Sequence, residues 1–267
     1  MRVSFPLYNI PEMHAAFRAF WHRLRALAAE RGVAGLPEEP DQSAPAVPDR
    51  IGGEVAFTQV CGFPLMTRLG GQAKFLMTPV YDAPGCAGPT HTAFFVVRAD
   101  ATFRTLEDLR GRMIAFNSVM SNSGMNLPRR AIAAIAGGKP FFGRRLITGS
   151  QAASVEAVVK GDADVATIDC VTDAVLRRHR PEFMQGIRVL AECARSPSLP
   201  FVTSAETSEC DAEILRHCLA ALPRTPDGAV ACQGLLIRDF VRLSEDDYKP
   251  VIEHRDEAIR LGYPELV

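Results

Sequence analysis

The sequence predicts an α/β chain folded as two lobes, on three observations. Strand-like and helix-like segments alternate along the 267 residues, the pattern of helices laid on largely parallel sheets. Two strand-like passages, around 94–98 and 193–202, bracket a central block, so the ends of the chain form one lobe and its middle the other. The expected division is 1–97 with 198–267 against 98–197, with a cleft between the lobes. A loop of small polar residues at 116–126 lies between a strand and a helix, and α/β sheets bind ligands at the carboxyl ends of their strands.

Residues 2–8 read as a first strand closed by Asn9-Ile10-Pro11. An amphipathic helix follows over 12–31, with Ala16, Phe20, Leu24 and Leu27 at helical spacing and Gly32 as its stop. Residues 35–48, rich in Pro and acids, read as an exposed loop. A short strand at 54–59 leads into Cys61-Gly62-Phe63-Pro64-Leu65, which opens a helix. Strands follow at 74–81 and 92–98, separated by a Gly- and Pro-rich loop. Thr105 is placed to cap a short helix, and 113–116 reads as a buried strand. Beyond the polar loop, a helix runs over 127–135, with Pro128 tolerated because it sits in the first turn. Residues 145–148 form a strand, a Ser-capped helix ends at Gly161, 164–168 form a strand, and 171–178 form a helix. Strands at 187–192 and 199–203 precede helices at 211–222 and 245–261. No internal repeat is present.

Composition narrows the function. A net charge of −1 with 23% charged residues gives no nucleic-acid surface. No run of 18 apolar residues occurs, so no membrane span is expected. Residues 1–8 carry no signal-peptide pattern, which reads as a mature or re-annotated start or as a cytoplasmic protein. The seven cysteines are odd in number and lack a C-x-x-C pair, which predicts mostly buried free thiols. The six histidines show no ligand spacing, so no metal and no cofactor is assigned. Cys61 has no His or acid placed by motif to activate it, so no nucleophile is assigned either.

The loop Asn117-Ser118-Val119-Met120-Ser121-Asn122-Ser123-Gly124 carries the binding chemistry. A helix start presents unpaired N–H groups with partial positive charge, Ser and Asn add donors, and Gly admits a ligand close to the backbone. The competing reading is an ordinary helix cap.

The segment Thr105-Leu106-Glu107-Asp108-Leu109-Arg110-Gly111-Arg112-Met113-Ile114-Ala115 resembles the D-L-K-G-K-(V/I)-A pattern of type II periplasmic solute-binding proteins. Ser121-Asn122-Ser123-Gly124 is similar to the S-x-S-G loop of their phosphate/phosphite/phosphonate branch. Further likenesses are Gly149-Ser150 with Ser154 to Val158, Gly161 to Ala166, Ile168-Asp169-Cys170, and Leu199 to Thr203. The resemblance implies two Rossmann-like lobes joined by a hinge, closure around a small solute, and delivery to the membrane permease of an ABC importer. It also implies a periplasmic location, a monomer and no reaction. By the same resemblance, Ser121, Asn122, Ser123 and Gly124, with Ser118, form an oxyanion cradle, and Gln151 stands where related phosphonate binders carry His. A neutral amide there cannot supply the charge of an imidazolium. Asp169 matches an acid that holds an amino group of the solute, with a helix N-cap as its other reading, and one residue can do both. Tyr8 corresponds to an aromatic that lies against the solute. Thr58, Gln59, Cys61 and Thr203 are the remaining candidates at strand ends. The resulting expectation is a solute-binding component taking a small polar or anionic molecule, a phosphonate-like oxyanion among them. The alternatives are a cytosolic biosynthetic enzyme on the same fold, of the menaquinone-pathway kind, or a ligand-sensing module.

Overall fold

The computed structural model describes residues 1–267, and the chain divides into two units. Unit 1 comprises Met1–Asp82, Ala87–Pro89 and Pro197–Tyr248, and unit 2 comprises Ala83–Cys86, Thr90–Ser196 and Lys249–Val267.

Unit 1 is built on a four-stranded sheet in the order Arg2–Val3, Val55–Gln59, Phe201–Ser204, Ala73–Phe75. A two-stranded pair, Thr78–Tyr81 with Ile237–Val241, accompanies it. The helix His14–Ala29 buries Phe17, Phe20, Trp21 and Leu24, the 3.6-residue stripe that its sequence announces. These rings meet Phe5, Phe57 and Phe201 in an aromatic core, with Phe57 stacked on Phe201 at 5.0 Å and Phe5 on Phe17 at 5.0 Å. Such pairs add about 0.5–1.5 kcal/mol each to the burial of their area. The first strand is shorter than the sequence suggests, ending at Val3. The expected 74–81 strand is broken into Ala73–Phe75 and Thr78–Tyr81, which join different sheets. The sequence reading missed the helix Pro226–Gly234, whose composition has little amphipathic contrast, and the strand Ile237–Val241.

Unit 2 holds a five-stranded sheet in the order Ile187–Glu192, Ala93–Arg98, Val165–Asp169, Met113–Phe116, Arg144–Ile147. The last three run parallel to one another, while Ala93–Arg98 is antiparallel to both of its neighbours. Residues 93–97, expected in the first lobe, are therefore interior to this sheet, and the buried run Phe94-Phe95-Val96-Val97 fits a strand covered on both faces. Residues 249–267, also expected in the first lobe, belong to unit 2. The helix Lys249–Arg260 packs on Leu127–Ala136, tied by Arg130 Nε to Glu257 at 2.7 Å and by Asn126 Nδ2 to the Val251 carbonyl at 2.9 Å.

Two consequences of this topology set up the site. The parallel strands Met113–Phe116, Val165–Asp169 and Arg144–Ile147 deliver their carboxyl ends together, which assembles the polar loop, Asp169 and Gln151. The antiparallel register Ala93↔Asp169 lays the residues just before Ala93 beside Asp169.

Candidate functional site

The polar loop folds as one turn of π-helix, Asn122–Asn126, running directly into the helix Leu127–Ala136. The sequence predicts only a loop here; a π-turn is a rare conformation that recurs at functional positions. Ser121 is its N-cap, its Oγ accepting from the Gly124 N–H at 2.9 Å. Gly124 leaves room for Asn117, because a Cβ there would lie 2.0 Å from Asn117 Oδ1 and displace that side chain. That oxygen is buried without a partner. Thr167 Oγ1 donates to the Gly124 carbonyl at 2.6 Å, clamping the turn to the neighbouring strand.

Behind the turn lies an amide chain. Asn122 Nδ2 donates to Ser196 Oγ at 2.9 Å, and Asn126 Nδ2 donates to Asn122 Oδ1 at 2.9 Å. Arg129 donates to Asn126 Oδ1 at 2.6 Å and to the Pro264 carbonyl at 2.7 Å. Its guanidinium is buried and pairs with no carboxylate, and burial lowers its pKa from the ordinary value.

In front of the turn, Gln151 bridges the loop to the strand end. The Asp169 N–H can only donate, and it donates to Gln151 Oε1 at 2.8 Å. This fixes the amide, so Gln151 Nε2 donates to Ser123 Oγ at 2.9 Å. Ser123 thereby accepts, and its own hydrogen is directed elsewhere. The same holds for Ser121, which accepts from Gly124 N–H, and for Ser118, whose Oγ accepts from Met120 N–H at 3.1 Å. Three hydroxyls on one loop thus receive backbone or amide donors and keep their own hydrogens for an acceptor.

Asp169 is an N-cap, Oδ1 accepting from Val171 N–H at 2.8 Å. Its Oδ2 accepts from His91 Nδ1 at 2.6 Å, and both side chains are almost wholly buried. Burial alone would push the His91 pKa down, but the Asp169 charge and hydrogen bond outweigh it, so the net shift is upward from 6.5. His91 Nε2 is buried without a partner. Histidine spacing along the chain does not single out His91. The signal that would have found it is its place two residues before a sheet strand antiparallel to the one ending in Asp169.

The unit 1 candidates are arranged differently. Tyr8 has φ +57°, an uncommon conformation for an aromatic residue, and its ring stands edge-on to Tyr81 at 5.6 Å. Gln59 Nε2 donates to Tyr81 Oη at 2.7 Å and to the Leu199 carbonyl at 2.9 Å. Tyr8 and Gln59 therefore share Tyr81 as a neighbour. Thr58 points the other way, as strand alternation requires, and its Oγ1 pairs with Ser4 Oγ at 2.8 Å. Cys61 is the buried N-cap residue of the helix Gly62–Thr67. Thr203 is fully buried and bonded to Thr207 Oγ1 at 2.6 Å and the Val55 carbonyl at 3.4 Å. Thr58 and Thr203 thus pair within unit 1 and do not join Tyr8 and Gln59. No helix is long and apolar enough to cross a membrane.

Comparison with known proteins places this geometry. Residues 53–248 match the family described as ABC transporter, phosphonate, periplasmic substrate-binding protein. No curated protein matches the sequence. Among solved structures, the binding protein component of an ABC phosphonate transporter from Pseudomonas aeruginosa superposes with TM-score 0.79 at 17% identity, covering 98% of this chain and 87% of its own. PhnD1 from Prochlorococcus marinus, in complex with methylphosphonate, gives TM-score 0.64 at 12% identity over 90% of this chain and 84% of its own. A Xanthomonas citri protein bound to ATP gives 0.66 at 19% identity, over 97% of each chain. These likenesses fix the fold.

Proposed function

The chain belongs to the periplasmic phosphonate substrate-binding proteins of ABC transporters, a family of binding proteins and not of enzymes, and from that premise we propose that it captures a small oxyanion carrying no ammonium group. The anion sits on the loop 118–124 of unit 2, held by the hydroxyl hydrogens of Ser118, Ser121 and Ser123. The protein works as a monomer in the periplasm and passes its solute to a membrane permease.

The observation that carries this reading is the orientation of Gln151. With its Oε1 held by the Asp169 N–H, its amide donates into Ser123, which fills one lone pair of that hydroxyl and leaves its hydrogen to be donated. Hydrogen bonds to an ionised acceptor are about twice as strong as neutral ones, and an array of donors beside a helix start selects an anion. Arg129 adds a buried positive charge one hydrogen bond behind the turn, although Gln151 itself is neutral.

Asp169 argues against an ammonium on the solute. One oxygen caps a helix and the other holds His91 at 2.6 Å, so its charge is already balanced inside the unit. A cationic group would have to displace that pair in a nearly dry setting, which is unfavourable.

The test is thermal stabilisation of the purified chain by phosphite, phosphate, methylphosphonate and 2-aminoethylphosphonate. The expected result is a rise in Tm with one or more of the first three and a smaller rise with the amine. Changing Ser121 and Ser123 together to Ala abolishes that stabilisation while the ligand-free Tm stays close to that of the parent. Undiminished stabilisation in the double variant would overturn the loop as the anion site, and a preference for the amine would overturn the reading of Asp169.

A further inference from the structure

We propose that Cys86 and Cys170 form a site of reversible oxidation, closing a disulfide that staples the 83–86 turn onto the strand end that carries Asp169. Their Sγ atoms lie 3.5 Å apart, within unit 2. Cys170 closes the family-like stretch Ile168-Asp169-Cys170, Cys86 lies outside every such stretch, and neither belongs to the loop 118–124.

The local structure holds the two thiols together. The turn is closed by the Cys86 N–H donating to the Ala83 carbonyl at 3.0 Å. Gly85 has φ +89°, and a Cβ there would lie 2.9 Å from Cys170 Cβ, 2.9 Å from Phe94 Cζ and 3.0 Å from Thr92 Cγ2. Only glycine fits, because the turn is pressed directly against Cys170 and its sheet neighbours. Cys170 is in turn fixed as the first residue of the helix Cys170–His179, its N–H donating to the Thr92 carbonyl at 3.1 Å. A disulfide needs S–S of about 2.05 Å, an approach of about 1.5 Å from the thiol pair, which side-chain rotation supplies.

The two sulfurs have different roles. Cys86 is half-buried, so an oxidant reaches it, whereas Cys170 is fully buried. The hydrogen bond with Cys86 and burial both raise the Cys170 pKa, so it stays a thiol. The oxidant is a small disulfide such as oxidised glutathione. The Cys86 thiolate attacks one of its sulfurs, forming a mixed disulfide and releasing one thiolate, which takes up a proton. Once Cys86 is in the mixed disulfide, the thiol hydrogen bond that raised the Cys170 pKa is gone. Cys170 gives its proton to solvent, its thiolate attacks the Cys86 sulfur and expels the second small thiolate, which takes up a proton. Overall two protein thiols are oxidised and one small disulfide is reduced to two small thiols. Direct attack by the buried Cys170 on the oxidant is excluded by access.

The cross-link spans residues 86 to 170, a stretch that contains His91, the whole loop 117–126 and Asp169. A loop of that length removes much unfolded-state freedom when closed. An oxidising compartment such as the periplasm keeps such a bond.

The experiment incubates the full chain with oxidised glutathione, alkylates it under denaturing conditions and maps peptides without reduction. The expected result is one intramolecular cystine, 86–170, with the other five of the seven cysteines alkylated. Oxidation raises Tm by at least about 5 °C, and a phosphine reductant reverses the rise. Cys86→Ser removes the redox-dependent shift and keeps the Tm of the reduced parent. Seven alkylated cysteines after oxidation, a cystine at another pair, or a redox-dependent shift that survives in Cys86→Ser each overturns the proposal. If Cys86→Ser is poorly folded, Cys86→Ala read by the same peptide map decides between these outcomes.

Discussion

Unit 1 and the polar loop of unit 2 use their hydroxyls in different ways. In unit 1 they bond to one another: Ser4 with Thr58, Thr203 with Thr207, Thr78 with Tyr248. Where a further hydrogen is placed it goes to a backbone carbonyl of the same unit, from Tyr248 to Ser198 at 2.7 Å and from Thr203 to Val55 at 3.4 Å. In unit 2, Ser118, Ser121 and Ser123 accept from N–H groups and hold their hydrogens in reserve. A hydroxyl fed by a donor becomes a directed donor, whereas one paired with another hydroxyl is a closed contact. The paired hydroxyls of unit 1 serve the fold, and those of the unit 2 loop are the anion donors proposed above.

The largest break in that contrast comes at the buried ion pair. His91→Leu takes the imidazole partner from the buried Asp169 carboxyl, a loss of about 3–5 kcal/mol. For a chain of this size that is a Tm drop of about 10 °C, read by calorimetry. The double change His91→Leu with Asp169→Leu recovers most of it, because removing both charges is far milder than stranding one. A single variant as stable as the parent would show that Asp169 does not depend on His91.

Gly124→Ala comes next. Its Cβ would lie 2.0 Å from Asn117 Oδ1 and 3.0 Å from Ser121 Oγ, so these two side chains must give way, at a cost of about 1–3 kcal/mol. Because Gly124 N–H is the donor to Ser121, oxyanion-induced stabilisation falls with it. An alanine variant that keeps both its Tm and its ligand response would remove the turn from the site.

How much of this was legible in the sequence depends on range. The helix 14–29 follows from local periodicity and the strand 93–98 from its apolar run, while of Ser150 and Ser154, both able to cap the next helix, it is Ser150 that accepts from Ala153 N–H at 3.1 Å. Ser121, Ser123, Gln151 and Asp169 were picked out one by one, yet their bonding order was not visible, since the Gln151 bridge needs three strand ends assembled by tertiary contacts. His91 was missed for the same reason: its partner is 78 residues away. Thr58 and Gln59 were taken together because both end a strand, and the pleat then separated them. The 249–267 segment was misplaced because the helical pattern states which face is apolar, not which unit covers it.

A pH series sharpens the ion-pair result. The folded His91 pKa lies above its ordinary 6.5, so the stabilisation is fully present below about pH 6.5 and is lost as pH rises through the folded value. Asp169 and Cys170 are the titratable groups that act on it. The expected outcome is that the stability difference between the parent and His91→Gln, from urea unfolding, is larger at pH 6 than at pH 9. A difference that grows with pH would reverse the assigned charge.

The smallest effects separate the two units most cleanly. Thr203→Val keeps the shape and the strand preference of residue 203 but removes the hydroxyl that joins Thr207 at 2.6 Å. One hydrogen bond is worth about 0.5–1.5 kcal/mol, and the paired Thr207 hydroxyl loses its partner, so stability falls by about 1 kcal/mol and oxyanion affinity is unchanged. Ser123→Ala does the reverse. The Gln151 amide loses an acceptor that water or ligand can replace, so stability changes little. The anion loses a charge-assisted donor worth about 1.5–3 kcal/mol, roughly 10- to 150-fold in Kd. Calorimetric titration with the oxyanion that stabilises the parent, run on both variants, reads the two numbers side by side. If Thr203→Val weakens binding as much as Ser123→Ala does, the distinction between self-paired and donor-fed hydroxyls fails.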